Sequence, residues 1–353
     1  MIANRPVRVL HVVRPATGGM RQHIINVAKY SSPAISHSIA APSDFLDSCA
    51  EIDCFEQRTV LEIRPTTNPL QDLQTANSLA SILKAGKYGL IHCHGVRAAL
   101  IASLAHVWHR TPIIATFHNL IGDSWKSRAA LIQIRSGLSA GVAVSGAVAQ
   151  SLQCTISNNF DLRIIPNGVS PDFMAPREHN RQTNVVGCAA RLSPEKGVDV
   201  LLRASDSLPD IHFRIAGDGP MLQELLLMGG NNVEFLGPVR DMVSFYDSLS
   251  MLVVPSRQEG QGLSALEAMS RGVPVIASRV GGLKEMLRDR VDALMVDPDQ
   301  PDQLVSAIHE LCQDTELRRS IAQAAKKKAD ESYNVVTMIS ALEKLYGDYG
   351  VSA

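Results

Sequence analysis

Short apolar runs alternate with amphipathic ones along almost the whole chain. In the first half, residues 7–13, 36–40, 90–93, 113–117, 141–144 and 163–165 have the length and composition of buried strands. Segments with helical spacing, such as 22–30, 70–85 and 97–107, lie between most of them. This order predicts parallel β/α units. The rhythm breaks at Pro166-Asn167-Gly168, and a polar stretch over 176–184 reads as a linker. It then resumes with strands over 185–190, 213–216, 233–236, 251–254 and 273–277. Helical patterns cover 198–207, 221–228, 242–249, 263–271 and 282–287, and three closing helices cover 301–311, 315–332 and 335–349.

The pattern predicts two doubly wound, Rossmann-like α/β domains facing each other across a cleft. The first spans 1–168. The second spans 169–334. In such sheets ligands bind beyond the carboxyl ends of the strands, so the cleft is the expected active site.

Composition narrows the function. The 353 residues are 45% hydrophobic and 20% charged, enough for two cores. Aromatics are 5% and the net charge is −1, which speaks against a nucleic-acid partner. The six cysteines form no C-x-x-C pair, so a zinc or redox motif is not indicated and reduced thiols in the cytoplasm are the simplest account. Arg8 and His11 interrupt the first apolar run, which argues for a strand rather than a signal peptide. The basic run at 326–328 reads as a solvated helix face. Lys126 and Arg128 lie in an amphipathic stretch over 121–134, and Arg135 follows it. It reads as a half-buried helix, or as a peripheral dock on anionic lipid at the inner face of the membrane.

Five constellations carry chemistry. Gly18 and Gly19 follow the first strand and precede a helix, where backbone can approach an anion; a plain turn explains them as well. In RLSPEKG at 191–197, Arg191 and Lys196 flank a Ser-Pro helix start and suit a diphosphate, although two surface cations are an equal alternative. In EGQGLSALE at 259–267, Gly260 and Gly262 free a strand-to-helix loop. The amides of Gln261 to Ser264 can meet phosphate or sugar oxygens, and Glu259 and Glu267 can accept hydroxyl hydrogen bonds. His118 ends a strand, where it serves a sugar, an acceptor or the fold. His92 and His94 share one strand face, but zinc needs a third ligand and none is near in sequence, so structural hydrogen bonding is the preferred reading. Asp297-Pro298-Asp299 reads as a turn and helix cap.

Taken together and in order, these motifs resemble the retaining glycosyltransferases of family 4, of GT-B fold and Glu-x7-Glu type. The resemblance spans nearly the whole chain and adds Pro166-Asn167-Gly168, AGDGP at 216–220 and Gly281-Gly282. It implies that Arg191 and Lys196 hold the donor diphosphate, that Glu267 binds the ribose hydroxyls, and that Glu259 lies near the transferred sugar. The backbone of Gln261 to Leu263 would hold sugar and phosphate. Gly19 would let its loop approach the diphosphate, His118 would stand near the reacting sugar, and residues around Gly217 and Val239 would line the base pocket. The C-terminal helix, 335–353, would return to the first domain. No metal or other cofactor is implied. Gln261 departs from the pattern, since an aromatic residue often stands there; its side chain is expected in the wall beside the sugar.

The expected activity is hexosyl transfer with retention, from a nucleotide-sugar donor (UDP preferred on resemblance) to an acceptor hydroxyl. The acceptor can be a saccharide, a lipid-linked saccharide or a small molecule, as in cell-surface polysaccharide or glycolipid synthesis. Alternatives are a sugar-nucleotide epimerase of GT-B type and a non-catalytic sugar-nucleotide binding protein.

Overall fold

The computed structural model describes residues 7–16, 18–49, 53–122, 125–153, 160–175 and 184–350. The linker expected over 176–184 lies outside them except for Asn184. Contacts divide the chain into two compact units, Met1–Pro166 with Val336–Ala353, and Asn167–Val335. Each is a parallel sheet with helices, a Rossmann-like domain.

In the first unit the strands are β1 (Val7–Val13), β2 (Ile35–Ala41), β3 (Gln57–Val60), β4 (Leu90–His94), β5 (Ile113–Phe117), β6 (Ala140–Ala143) and β7 (Leu162–Ile164). All pair in parallel, in the order 3-2-1-4-5-6-7. Alternation sorts their side chains onto two faces. Leu10 and Val12 of β1, with Ile91 and Cys93 of β4, join one large apolar core. The opposite face carries Val13, Ile39 and Ala41 in a smaller one. By the same alternation it also carries His11, His37, His92 and His94, all buried. A row of polar rings thus occupies sheet positions where apolar side chains are the rule.

The last helix, Val335–Tyr349, closes this unit. Tyr346, fully buried, places its hydroxyl 2.6 Å from His92 Nδ1. Glu343 accepts the Ser32 amide at 2.6 Å. Arg163 bonds Asp161 at 2.9 Å and Asp348 at 2.8 Å.

In the second unit the strands are β8 (Val185–Ala189), β9 (His212–Ala216), β10 (Val233–Gly237), β11 (Met251–Val254), β12 (Val275–Ser278) and β13 (Leu294–Val296). They pair in parallel, in the order 10-9-8-11-12-13. Met251 and Val253 pack into one core, Leu252 and Val254 into another. Both faces are therefore covered, which is why such strands read as continuous apolar runs.

Two surface readings change. Lys326 donates to Ser270 O at 2.8 Å and Lys328 to Asp292 Oδ2 at 2.9 Å. These ammonium groups tie the helix Thr315–Ser332 to its neighbours instead of standing in solvent. Asp299 lies in a left-handed turn with φ 59°. Its carboxylate takes Arg257 Nε at 2.7 Å, and the cap of the following helix is Gln300. No described helix is long and apolar enough to cross a membrane.

Candidate active site

The order of the second sheet reverses between β8 and β11. The loops leaving their carboxyl ends diverge there, which opens a crevice suited to a ligand. The loop after β8 contains Arg191 and Lys196, and the loop after β11 contains Glu259 to Gly262. The charged candidates and the glycine loop of this unit therefore follow the two strands that flank the switch point, while Gly217 and Val239 follow β9 and β10.

Close backbone contact fixes the geometry of these loops. Gly197 has φ +63°, and a Cβ there would stand 2.1 Å from Pro255 O. Only glycine lets the two loops approach this closely. Arg257 then clasps them, bonding Asp199 at 2.7 and 2.8 Å and Pro194 O at 2.7 Å. Behind Arg191, Gly217 has φ +134°, and a Cβ would stand 1.9 Å from Ala190 O. The Gly217-Asp218-Gly219 turn braces the strand end, with the Leu192 amide donating to Asp218 O at 3.0 Å.

The helix start expected at Ser193-Pro194 is shorter than the sequence suggests. Pro194–Lys196 is one 3₁₀ turn, and the α-helix begins at Val198. Ser193 makes no capping bond; its hydroxyl donates to Glu195 Oε1 at 2.6 Å. The Arg191 side chain is exposed and makes no hydrogen bond among the described residues. Lys196 Nζ donates to Glu259 Oε2 at 2.7 Å, and Ser256 donates to the same oxygen at 3.2 Å. The expected diphosphate cation and the expected sugar carboxylate are thus joined in one ion pair.

Gly262, φ +93°, caps the helix Leu263–Ser270. Glu267 sits on that helix and accepts a 2.8 Å bond from Tyr246 OH. Burial lifts its carboxyl to about 7, with the Tyr246 bond pulling the other way. This acid therefore changes charge near neutrality. Gln261 differs from expectation. Its side chain is buried and bonded three ways to Asn167, at 2.7, 2.8 and 3.2 Å. Its side-chain amide is therefore committed to Asn167 rather than open to solvent. Val239 follows β10, half-buried against the apolar core.

In the first unit the sheet order reverses between β1 and β4. Gly18, φ 57°, opens the helix Gly19–Tyr30 there, with open space around it. A cavity of about 270 Å³ lies near this point, lined by Arg14, Met20, Gly95, His118 and Asn119 among others. His118, next after β5, reaches it. Burial, then the nearby His23, His92 and Arg14, hold the His118 imidazole well below its usual range, so it is neutral at pH 7. A neutral ring can donate one hydrogen bond and accept another.

Residues 17–173 match the family model described as Glycosyltransferase Family 4, and residues 169–328 match the model described as Glycosyl transferases group 1. The two matches together run from residue 17 to residue 328. The chain is a glycosyltransferase of the group 1, family 4 type. An uncharacterised glycosyltransferase of Methanocaldococcus jannaschii is 28% identical over 315 residues, covering 78% of this chain and 80% of its own. A D-inositol 3-phosphate glycosyltransferase of Salinispora arenicola is 24% identical over 428 residues, covering 98% and 91%. Among solved structures, Anabaena HepE in complex with UDP-glucose superposes with a TM-score of 0.84 at 21% identity, covering 97% of this chain and 99% of its own. That likeness shows the GT-B fold.

Within the glycosyltransferase, sequence reasoning brought Arg191, Lys196 and Glu259 to one pair of loops. It missed Tyr246, Ser256, Arg257 and Asn167, the partners that hold the candidate residues. Tyr246 is 21 positions from Glu267 and Asn167 is 94 from Gln261. No spacing rule connects such pairs. The sequence also left His92 and His94 with no third histidine, whereas His11 Nδ1 lies 3.0 Å from His94 Nε2 and the His23 ring 5.6 Å from the His94 ring.

Proposed function

We propose that this glycosyltransferase moves a hexosyl group from a UDP-sugar to an acceptor hydroxyl with retention of configuration. The observation that carries the reading is the convergence of Arg191, Lys196, Glu259 and the Gly260–Gly262 backbone on the switch point of the second sheet. The UDP-glucose bound by Anabaena HepE supports a uridine donor.

Cleavage of the anomeric bond leaves negative charge on the departing diphosphate. Arg191 offers it an uncommitted fork, and Lys196 a point charge. Lys196 is held by Glu259 before the donor arrives, so little reorganisation is needed. Glu259 in turn is neutralised by Lys196 and can face the sugar hydroxyls without repelling the phosphates. Amides of Gln261 to Leu263, at the start of the helix, favour the same negative charge. Glu267 accepts the ribose hydroxyls. Gly19 gives the first unit's loop a side-chain-free approach to the diphosphate, and His118 bonds the reacting sugar. Gly217 and Val239 flank the base. The reading calls on no metal in the transfer. Front-face attack, with the departing phosphate taking the acceptor proton, needs no carboxylate nucleophile. The acceptor hydroxyl belongs to a saccharide, a lipid-linked saccharide or a small molecule, as in cell-surface polysaccharide or glycolipid synthesis.

Thermal unfolding with UDP, GDP, ADP and a panel of UDP-sugars tests the donor. Uridine ligands should raise the midpoint as RT ln(1 + [L]/Kd), and Arg191→Ala should abolish the shift. An equal response to all bases, or none, would overturn the assignment. Proton NMR of the first-formed product reads its anomeric configuration, and inversion would refute retention.

A further inference from the structure

One polar network in the first unit is not used by this reading. His37, His11 and His94 form a buried chain, with His11 Nε2 2.8 Å from His37 Nδ1 and His11 Nδ1 3.0 Å from His94 Nε2. His92 is spoken for on both sides, by Tyr346 OH at 2.6 Å and Thr116 Oγ1 at 2.7 Å. His94 is fully buried, and its other nitrogen, Nδ1, has no hydrogen-bond partner among the described residues. The same holds for His118 Nε2. Two buried ring nitrogens without partners in one small volume are costly unless something bonds them.

His23, His94 and His118 each bring one ligand nitrogen within 4.8 Å of the others. The His118 ring centre lies 4.8 Å from that of His23 and 6.0 Å from that of His94. We propose that His23, His94 and His118 bind a divalent transition-metal ion of the zinc class, with the fourth position open to the cavity beside His118. At Zn–N distances of 2.0–2.1 Å, tetrahedral ligand nitrogens stand about 3.4 Å apart, so modest ring rotations close the site.

The chemistry of the donor set fits. Burial keeps His94 and His118 neutral, the form that ligates. A ligating histidine usually donates its second ring N–H to an outer acceptor. With metal on Nδ1, His94 carries its proton on Nε2 and donates to His11 Nδ1. His11 then donates from Nε2 to His37 Nδ1. The chain of three therefore has two directions, and a metal selects one. No carboxylate belongs to the triad, and Arg14 and Arg97 line the cavity. Arg97 is matched by Asp72 at 2.6 Å. Metal on His118 Nε2 removes that nitrogen from the sugar, so a bound ion opposes transfer.

The test is titration of untagged, chelator-stripped full-length protein with Zn²⁺ by calorimetry and with Co²⁺ by visible absorption. One ion per chain and the intense visible bands of a tetrahedral cobalt site are expected. His118→Asn should remove both. His11→Asn, which removes only the outer partner, should weaken zinc binding by about 10–100-fold. Circular dichroism and metal-free melting of each variant separate lost binding from lost fold, and His37→Asn, at the far end of the chain, should keep the stoichiometry. Weak octahedral cobalt bands, or zinc binding unchanged by His118→Asn in a folded variant, would overturn the proposal. Both readouts stand apart from sugar transfer, so they fail or succeed independently of the donor assignment.

Discussion

Lys196 Nζ lies 2.7 Å from Glu259 Oε2, and the pair links the two loops at the switch point of the second sheet. Both side chains are largely buried, at 24% and 11% exposure. Neither can be removed without leaving the other charge poorly solvated. Lys196→Ala should lower kcat by about 10²–10³. The double variant with Glu259→Ala should lose much less than the product of the two single losses, because the residues act as one unit. Steady-state kinetics on the four proteins give the coupling directly, and strict additivity would separate their roles.

Glu267 sets a pH dependence. Its carboxyl is raised to about 7 from an ordinary 4.5 by burial. Between those values the folded chain keeps a proton that the unfolded chain has lost. Stability from this group is therefore greatest below 4.5, declines as pH rises, and is gone above about 7. Glu267→Gln should flatten that part of the stability curve. Donor binding should run the opposite way, since ribose hydroxyls prefer the charged acceptor. UDP affinity should rise as pH passes through about 7 in the native protein and stay level in Glu267→Gln, as calorimetry at pH 6 and 8 would show.

Gly217→Ala should destabilise the second unit. The φ of +134° alone costs about 1–3 kcal/mol in a residue with a Cβ. The 1.9 Å approach to Ala190 O adds a clash that only backbone movement relieves. Gly18→Ala carries a backbone cost alone, because nothing lies within 4 Å of its Cβ position. Urea denaturation of the two variants should rank Gly217→Ala as clearly the less stable.

Tyr346→Phe removes the hydroxyl 2.6 Å from His92 Nδ1. The histidine stays buried with one nitrogen unbonded, which costs about 1–3 kcal/mol. The loss should appear in the first unit's unfolding, with UDP affinity little changed. A wild-type melting curve would show that His92 finds another partner.

Most strands were readable because central parallel strands are apolar along their whole length. The runs at 7–13, 113–117 and 251–254 match β1, β5 and β11 residue for residue. β3 escaped notice because Gln57–Val60 is a half-exposed edge strand with no apolar run. β13 is three residues long and follows directly on a turn. Positions 273–274 were read as strand, yet β12 starts at Val275, since Pro274 has no amide for the ladder. At the site, the glycine-rich loops and their charged residues were legible as local motifs. The inward turn of Gln261 toward Asn167 and the gathering of His11, His23 and His37 around His94 were not. Both depend on which distant segments the topology makes neighbours.

The return of the helix Val335–Tyr349 to the first unit bears on how the molecule is made. On the ribosome the strands of the first sheet emerge well before this helix, so His92 is without the Tyr346 hydroxyl until 254 further residues have been joined. This unit is therefore completed only after the second has been made. During that interval its buried histidine row lacks a wall, and a nascent chain released early would keep that side open to water.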